Sequence, residues 1–264
     1  MRTLDLILAC AAHGIALMLL APLAEGVLRR THARVQSRRG PPLAQPYFDL
    51  LKLLGKEQLD VGPTPRLQHF AAGLAFASVI TVACHIPLLG GIPLAATGDL
   101  LLLLYLLTLA SIANLLAGLA AGSTYSLLGI SRETMTLLLL EPLLAVALIT
   151  RALQSGSLAL HPLLTPGLVP HAHLVSTWAS LAVLLAALPA FVQRVPYDPA
   201  EAETELMHGP WVEYAGARLA LLKFAHMARL VVYCTLVAAL FNPLPPTLPG
   251  ILRWTAAAAA GALL

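Results

Sequence analysis

The chain contains a series of apolar stretches, each about 20 residues long, in which charged residues are rare. Because the hydrocarbon core of a bilayer is about 30 Å thick, a helix of about 20 apolar residues crosses it. Six complete spans and a truncated seventh run are visible, at residues 4–28, 67–89, 100–122, 134–153, 174–195, 215–241 and 248–264. The sequence therefore predicts an all-α fold, a polytopic transmembrane helix bundle.

Composition supports a membrane protein and excludes several other classes. Charged residues make up 11% of the chain, against about 25% in a typical soluble domain. Lys and Arg number 16 and Asp and Glu 13, an excess too small to indicate a nucleic-acid partner. The three cysteines are far apart and form no Cys-x-x-Cys or Cys/His pair, so neither a metal site nor a disulfide framework is predicted. No internal repeat or linker is visible, and residues 1–264 are expected to form a single membrane domain.

Basic residues are concentrated in the connection after the first span, which holds eight of the sixteen Lys and Arg residues. Cytoplasmic loops of membrane proteins carry an excess of Lys and Arg, so this connection is assigned to the cytoplasmic side. Alternation then places Arg132 and the loop 194–213 inside. It leaves the loops 90–98 and 154–173 outside, and neither contains Lys or Arg. The predicted topology is multi-pass with the N-terminus outside.

The first cytoplasmic connection contains a predicted amphipathic helix at Gln45–Leu54. Its apolar side chains, from Tyr47 to Leu54, recur at helical spacing opposite Asp49 and Lys52. This pattern is typical of a helix that lies along the membrane interface. Gly and Pro residues on both sides stop the helix.

Four ionisable side chains lie deep in predicted spans, where each costs at least about 2.5 to 3.5 kcal/mol on insertion scales. Glu141 is expected near the midplane, because it follows Arg132 by nine residues, or about 13 Å of helix. Lys223, His226 and Arg229 share one face of the sixth span. We interpret the four as a hydrated proton path. Two alternatives stay open: a packing contact for Glu141, and an ion-pair network that transports nothing.

The cytoplasmic loop 197–213 is acidic and contains no Lys or Arg. Its carboxylates are Asp198, Glu201, Glu203, Glu205 and Glu213. Like charges at i and i+4 destabilise a helix, so cations of the first connection, such as Arg38, Arg39 and Lys52, are expected to neutralise them. Folded together, the two oppositely charged connections would form a polar cavity or a docking surface. A simply solvated loop is the alternative.

Three stretches carry specific motifs. They are Gln-Pro-x-x-Asp-x-x-Lys within 38–57, Ser-Arg-Glu followed by Glu-Pro within 122–142, and Pro-x-Asp-x-x-Glu-Ala-Glu within 196–223. In this order they resemble signature stretches of the complex I subunit 1 family. Within that family the chain is most similar to the membrane-anchor subunit of formate hydrogenlyase, hydrogenase 4 and related energy-converting nickel–iron hydrogenases.

The resemblance implies a non-catalytic subunit of an oxidoreductase complex in the bacterial inner membrane. Such a subunit docks the peripheral electron-transfer arm and relays protons from the interface toward antiporter-like subunits, and Glu141 matches the buried glutamate of its fourth span. The expected residues of the interface and cavity loops are Arg38, Arg39, Gln45, Asp49, Lys52, Arg132, Glu133, Asp198, Glu201, Glu203, Glu205 and Glu213.

The resemblance also implies where the cofactors and partners are. No cofactor or metal is expected in this chain, whereas iron–sulfur clusters and a nickel–iron centre are expected in partner subunits. The expected partners are hydrogenase large and small subunits, antiporter-like membrane subunits and the lipid bilayer, and no nucleic acid.

Two departures from the complex I pattern favour the hydrogenase branch. Phe191–Arg194 stands where the complex I subunit usually has Ala-Glu-x-Asn-Arg, and His226 stands about where it has a glutamate. Two alternative functions remain. One is the quinone-site subunit 1 of an NADH:quinone oxidoreductase. The other is a stand-alone ion-coupled secondary transporter, against which the lack of an inverted repeat counts.

Overall fold

A computed structural model describes residues 3–59, 63–94, 97–164, 174–194, 197–198 and 209–241. Within those residues the chain folds almost entirely into helices. They are α1 Thr3–Val35, α2 Gln45–Leu54, α3 Pro65–His85, α4 Leu100–Ala121, α5 Thr124–Ser155, α6 Leu160–Leu164, α7 Leu174–Phe191 and α8 Gly216–Phe241, with a 3-10 turn at Gly209–Trp211.

The helical membrane bundle predicted from the sequence is confirmed. Each of the six predicted spans coincides with a helix, and five of these helices, α1, α3, α4, α5 and α8, are long and apolar enough to cross a membrane. The sixth, α7, is apolar but shorter. The amphipathic segment is the separate helix α2, with the bounds that were predicted. The predicted seventh run, 248–264, lies outside the described residues.

The start of the fourth span differs from the prediction. α4 ends at Gly122, whose φ of 69° suits a residue without a Cβ. Ser123 then caps α5, its side-chain oxygen accepting a hydrogen bond from the Ser126 amide. Arg132 and Glu133 were expected in a cytoplasmic connection. They lie instead inside α5, because this early cap lets the helix begin at Thr124 and run through the polar Ser-Arg-Glu stretch.

The centre of the bundle is α3, which packs against α4, α8 and α1. Small side chains line these contacts: Ala71, Ala72, Ala113 and Ala117 are completely buried. Alanine lets helix backbones approach closely, which increases their van der Waals contact. Many large apolar side chains of α1, α4 and α5 are exposed on the outside of the bundle. The chain is therefore built with its smallest residues inside and an apolar outer surface suited to lipid.

Candidate functional site

Glu133 is a buried carboxylate in the interior of the bundle, with only 1% of its surface exposed. The side-chain amide of Asn114 on α4 donates to both of its oxygens, at 2.8 Å each. The amide of Gln193, which follows α7, donates to Oε1 at 3.1 Å. Hydrogen bonds of this kind offset the cost of placing a carboxylate inside a membrane helix. Gln193 reaches this position with φ of 54°, a backbone region that glutamine seldom adopts.

The oxygen of each amide accepts a hydrogen bond from a further side chain. Trp211 donates its indole N–H to Asn114 Oδ1 at 2.6 Å, and Arg229 donates to Gln193 Oε1 at 2.8 Å. Arg229 also donates to the Ala110 carbonyl at 3.0 Å. Residues from α4, α5, the segment after α7, the 3-10 turn and α8 therefore meet around one carboxylate.

Glu141 lies two turns further along α5 and shares a cavity with Glu133. The cavity has a volume of about 30 Å³, and its polar lining includes Thr108, Gln193 and Arg229. A water molecule needs about 10 to 15 Å³ of such volume, so about two waters fit. Along the helix the two glutamates are about 12 Å apart, since they are eight residues apart. The cavity therefore has room for water between the two carboxylates that line it.

Glu141 is half-buried and touches a single hydroxyl group among the described residues. Its Oε1 is 3.0 Å from Thr108 Oγ1, and the same Oγ1 is 2.9 Å from the Leu104 carbonyl oxygen. Glu141 lies at this cavity, whose lining surface is mostly apolar although several polar side chains contribute to it, and its role in a proton path stays a prediction.

The three residues predicted to share a polar face of the sixth span have different surroundings in the structure. Arg229 lines the cavity with Glu141, but it bonds Gln193 and a backbone carbonyl rather than the Glu141 carboxylate. His226 packs edge-on against the Trp211 ring, with ring centroids 5.6 Å apart. Lys223, nearer the start of α8, is half-buried. Neither Lys223 nor His226 is among the described residues that line the cavity.

A second charged cluster, around Glu25, ties α1 to the segment after α7. Glu25 is 3% exposed and pairs with Arg194 and, at 2.9 Å, with Arg29. Arg29 also reaches Asp49 of α2 at 3.2 Å, and Gln45 donates to Asp49 at 3.0 Å. Gln45 and Asp49, both predicted interface residues, thus belong to a network that anchors the amphipathic helix.

The acidic loop is described only in part. Glu201, Glu203 and Glu205 lie outside the described residues, while Asp198 and Glu213 are half-buried. Arg38, Arg39 and Lys52 are exposed, and Arg132 is half-buried. Whether these cations neutralise the loop therefore stays a prediction.

The start of α8 contacts the segment between α2 and α3 and also α3 itself. Arg218 donates to the Leu59 carbonyl at 2.9 Å and to Gln68 Oε1 at 2.7 Å. Burial raises the pKa of Tyr214, which lies just before α8, so its phenol remains a neutral donor to the Ala117 carbonyl at 2.7 Å. These contacts hold the start of α8 against the end of the first connection and against α3, whereas the predicted pairing of the acidic loop with the basic residues stays a prediction.

Four residues of these clusters were missed by sequence reasoning: Glu25, Asn114, Gln193 and Trp211. Glu25 carried a usable signal, because it is an ionisable residue inside a span with Arg29 four residues later. Asn114 was interpreted as helix–helix packing. Gln193 lies at the end of the fifth predicted span and Trp211 lies in the acidic loop, and neither carries a pattern that marks it as part of the surroundings of a buried carboxylate.

Comparison with known proteins identifies the family. A family model described as NADH dehydrogenase matches residues 8–260. The chain belongs to the NADH dehydrogenase subunit 1 family. As a member of that family it resembles hydrogenase-4 component C of Escherichia coli strain K12, with 34% identity over 90% of this chain and 76% of the relative. Formate hydrogenlyase subunit 4 of the same strain is 32% identical, over 88% and 76%.

The family also includes relatives outside the hydrogenases. A subunit of the NADH-quinone oxidoreductase of Thermomicrobium roseum is 34% identical, over 81% of this chain and 70% of the relative. Among solved structures, one chain of the membrane-bound sulfane sulfur reductase, an archaeal respiratory membrane complex, superposes with a TM-score of 0.83 at 26% identity. That match covers 98% of this chain and 85% of the other. The resemblance to hydrogenase and complex I membrane subunits is confirmed.

Proposed function

We propose that this member of the family is the membrane subunit of an energy-converting nickel–iron hydrogenase complex of the formate hydrogenlyase type. The single observation that carries the proton-relay part is the cavity that Glu133, Glu141 and Arg229 line together. The hydrogenase assignment is supported by the similarity to hydrogenase-4 component C and formate hydrogenlyase subunit 4.

Protons would pass from the cytoplasmic side through Glu133 and the cavity to Glu141, and from there toward antiporter-like subunits. Each carboxylate can hold a proton, and the cavity has room for the waters that connect them. Arg229 supplies a fixed positive charge that limits the repulsion between the two carboxylates.

The chain would take no part in the redox chemistry. Among the described residues, no group of three or more His, Cys, Asp or Glu side chains could hold a metal ion. Iron–sulfur clusters and the nickel–iron centre would belong to the partner subunits. The cytoplasmic end, with Arg38, Arg39, Lys52 and the acidic loop, would dock the peripheral arm, in a bacterial inner membrane with the N-terminus outside.

The proton relay is tested by Glu141→Gln in inverted membrane vesicles, with a pH-sensitive dye that follows proton movement during hydrogen evolution. We expect coupled proton movement to fall about tenfold or more, because glutamine cannot carry the proton. Asp5→Asn, a matched change outside the cavity near the start of α1, should leave it unchanged. Normal coupling in Glu141→Gln, with the complex assembled, would reduce Glu141 to a packing residue.

The choice of complex is tested by affinity purification of the tagged chain from its native membrane. We expect a nickel-containing large subunit to co-elute. The similarity to a subunit of an NADH-quinone oxidoreductase makes the quinone-linked complex the second candidate, and co-elution of NADH dehydrogenase subunits would establish it instead. Recovery of the chain alone would favour a stand-alone transporter.

A further inference from the structure

The two amides that face Glu133 have only one possible orientation each. An indole N–H and a guanidinium can donate hydrogen bonds but cannot accept them. Trp211 therefore requires the Asn114 carbonyl on its side, and Arg229 requires the Gln193 carbonyl on its side. The NH₂ group of each amide then points at Glu133, and both Glu133 oxygens act as acceptors.

We propose that Asn114 and Gln193 form an amide clamp that keeps Glu133 as an unprotonated acceptor. Trp211, on the proposed cytoplasmic side, fixes the orientation of the Asn114 amide. The proposal rests on the proton-relay function and adds positioning residues to it. Asn114 and Gln193 act through their hydrogen bonds to Glu133, and Trp211 acts through Asn114.

Trp211 is suited to this role because it ends the 3-10 turn that lies near the end of the acidic loop 197–213. With its N–H in place, the Asn114 amide is fixed. With Trp211 displaced, that amide can turn its carbonyl toward Glu133. The Asn114 carbonyl oxygen and a Glu133 oxygen would then face each other, and two acceptors repel unless a proton lies between them. The turned amide therefore favours the protonated form of Glu133, which can donate a hydrogen bond to the carbonyl. A movement of the turn is thereby linked to proton uptake at a carboxylate inside the bundle.

Glu141 has the opposite surroundings at the other end of the cavity. The Thr108 hydroxyl has one hydrogen, yet its oxygen is within hydrogen-bond distance of both the Leu104 carbonyl and Glu141. The hydroxyl can donate to the Leu104 carbonyl or to Glu141 Oε1, and it is the one polar side chain that Glu141 contacts among the described residues. Nothing comparable to the two amides around Glu133 holds the Glu141 carboxyl there.

Infrared difference spectroscopy of the purified complex at neutral pH tests the clamp, because it detects the C=O stretch of protonated carboxyl groups. Trp211→Phe keeps an aromatic ring against His226 and removes the N–H donor. The indole N–H is bonded to Asn114 and not to Glu133, so the carboxylate loses a donor only when the freed Asn114 amide turns. Loss of that hydrogen bond should shift the Glu133 equilibrium toward the protonated form by up to about 10- to 100-fold. A protonated-carboxyl band absent from wild type should appear, and adding Glu133→Gln should remove it.

Tyr214→Phe is the matched control. It also removes one donor that links this region to α4, but its acceptor is the Ala117 carbonyl, which makes no bond to Glu133. No new band is expected. Asn114→Leu, which removes the amide itself, should reproduce the Trp211→Phe band and serves if that variant is not recovered.

Three results would overturn the clamp: no new band in either Trp211→Phe or Asn114→Leu, the same band in Tyr214→Phe, or a band that survives Glu133→Gln. The spectra report on the carboxyl groups whether or not protons are pumped. Failure of the relay in vesicles and failure of the clamp are therefore separate results.

Discussion

Replacing Glu25 by glutamine should destabilise the bundle more than a comparable change in the exposed ion pair between Arg29 and Asp49. Glu25 is 3% exposed and pairs with two cations, Arg29 and Arg194, that reach it from α1 and from the segment after α7. Glutamine keeps the size of the side chain but removes the charge. The guanidinium of Arg194, 24% exposed, is then left without its carboxylate partner.

The magnitude follows from burial. Removing one partner of a fully buried ion pair costs about 3 to 5 kcal/mol. Because Arg29 is 41% exposed and Arg194 24% exposed, water recovers part of that cost, and we expect about 2 to 3 kcal/mol. For a chain of this size, 1 kcal/mol corresponds to about 2 to 4 °C, so Tm should fall by about 5 to 10 °C.

Thermal unfolding in detergent can be followed with a thiol-reactive fluorescent dye. Cys84 is buried and Cys10 and Cys234 are half-buried, so all three become more reactive as the bundle opens. Asp49→Asn is the control, since Asp49 is 40% exposed and pairs with the equally exposed Arg29. An exposed pair contributes about 1 kcal/mol or less. A Tm change below about 2 °C in Glu25→Gln, or an equal change in Asp49→Asn, would refute the reasoning.

Three further predictions concern docking, helix packing and metal content. Reversing two charges of the acidic loop should release the peripheral arm in a detergent pull-down, and undiminished recovery would contradict a docking role; the candidates are Glu201, Glu203 and Glu205. Gly26→Ala should lower the free energy of unfolding by about 1 to 3 kcal/mol, because the new Cβ would collide with the Leu43 backbone. The control is Gly73→Ala, at a helical site where a new Cβ meets nothing within 4 Å, and it should be neutral or stabilising. Equal changes in the free energy of unfolding for the two variants would show that Gly26 of α1 is not tightly packed against Leu43. The chain purified alone should contain no metal by elemental analysis, and stoichiometric iron, nickel or zinc would contradict a purely structural and proton-relaying role.

The positions of the spans and of α2 could be predicted from local sequence, but the partners of the buried charges could not. The apolar runs and the Gly and Pro residues around Gln45–Leu54 act within one helix, so a linear pattern is enough to find them. Glu133 illustrates the limit. It was assigned to a loop, because a single capping residue, Ser123, is a weak sequence signal for the start of a helix. With this cap α5 begins at Thr124 and includes the Ser-Arg-Glu stretch.

The sequence by itself determined that this chain is a helical membrane protein, because bilayer thickness and backbone hydrogen bonding leave few folds to a chain with such apolar runs. Its three motif stretches carried the resemblance to the subunit 1 family. It also placed Glu141 and Arg229 within spans. Only the tertiary structure decided that Glu133 shares a cavity with them and that Glu25 pairs with Arg194. Those contacts join residues far apart in the chain, and helix packing, which depends on all the interfaces at once, fixes which faces meet.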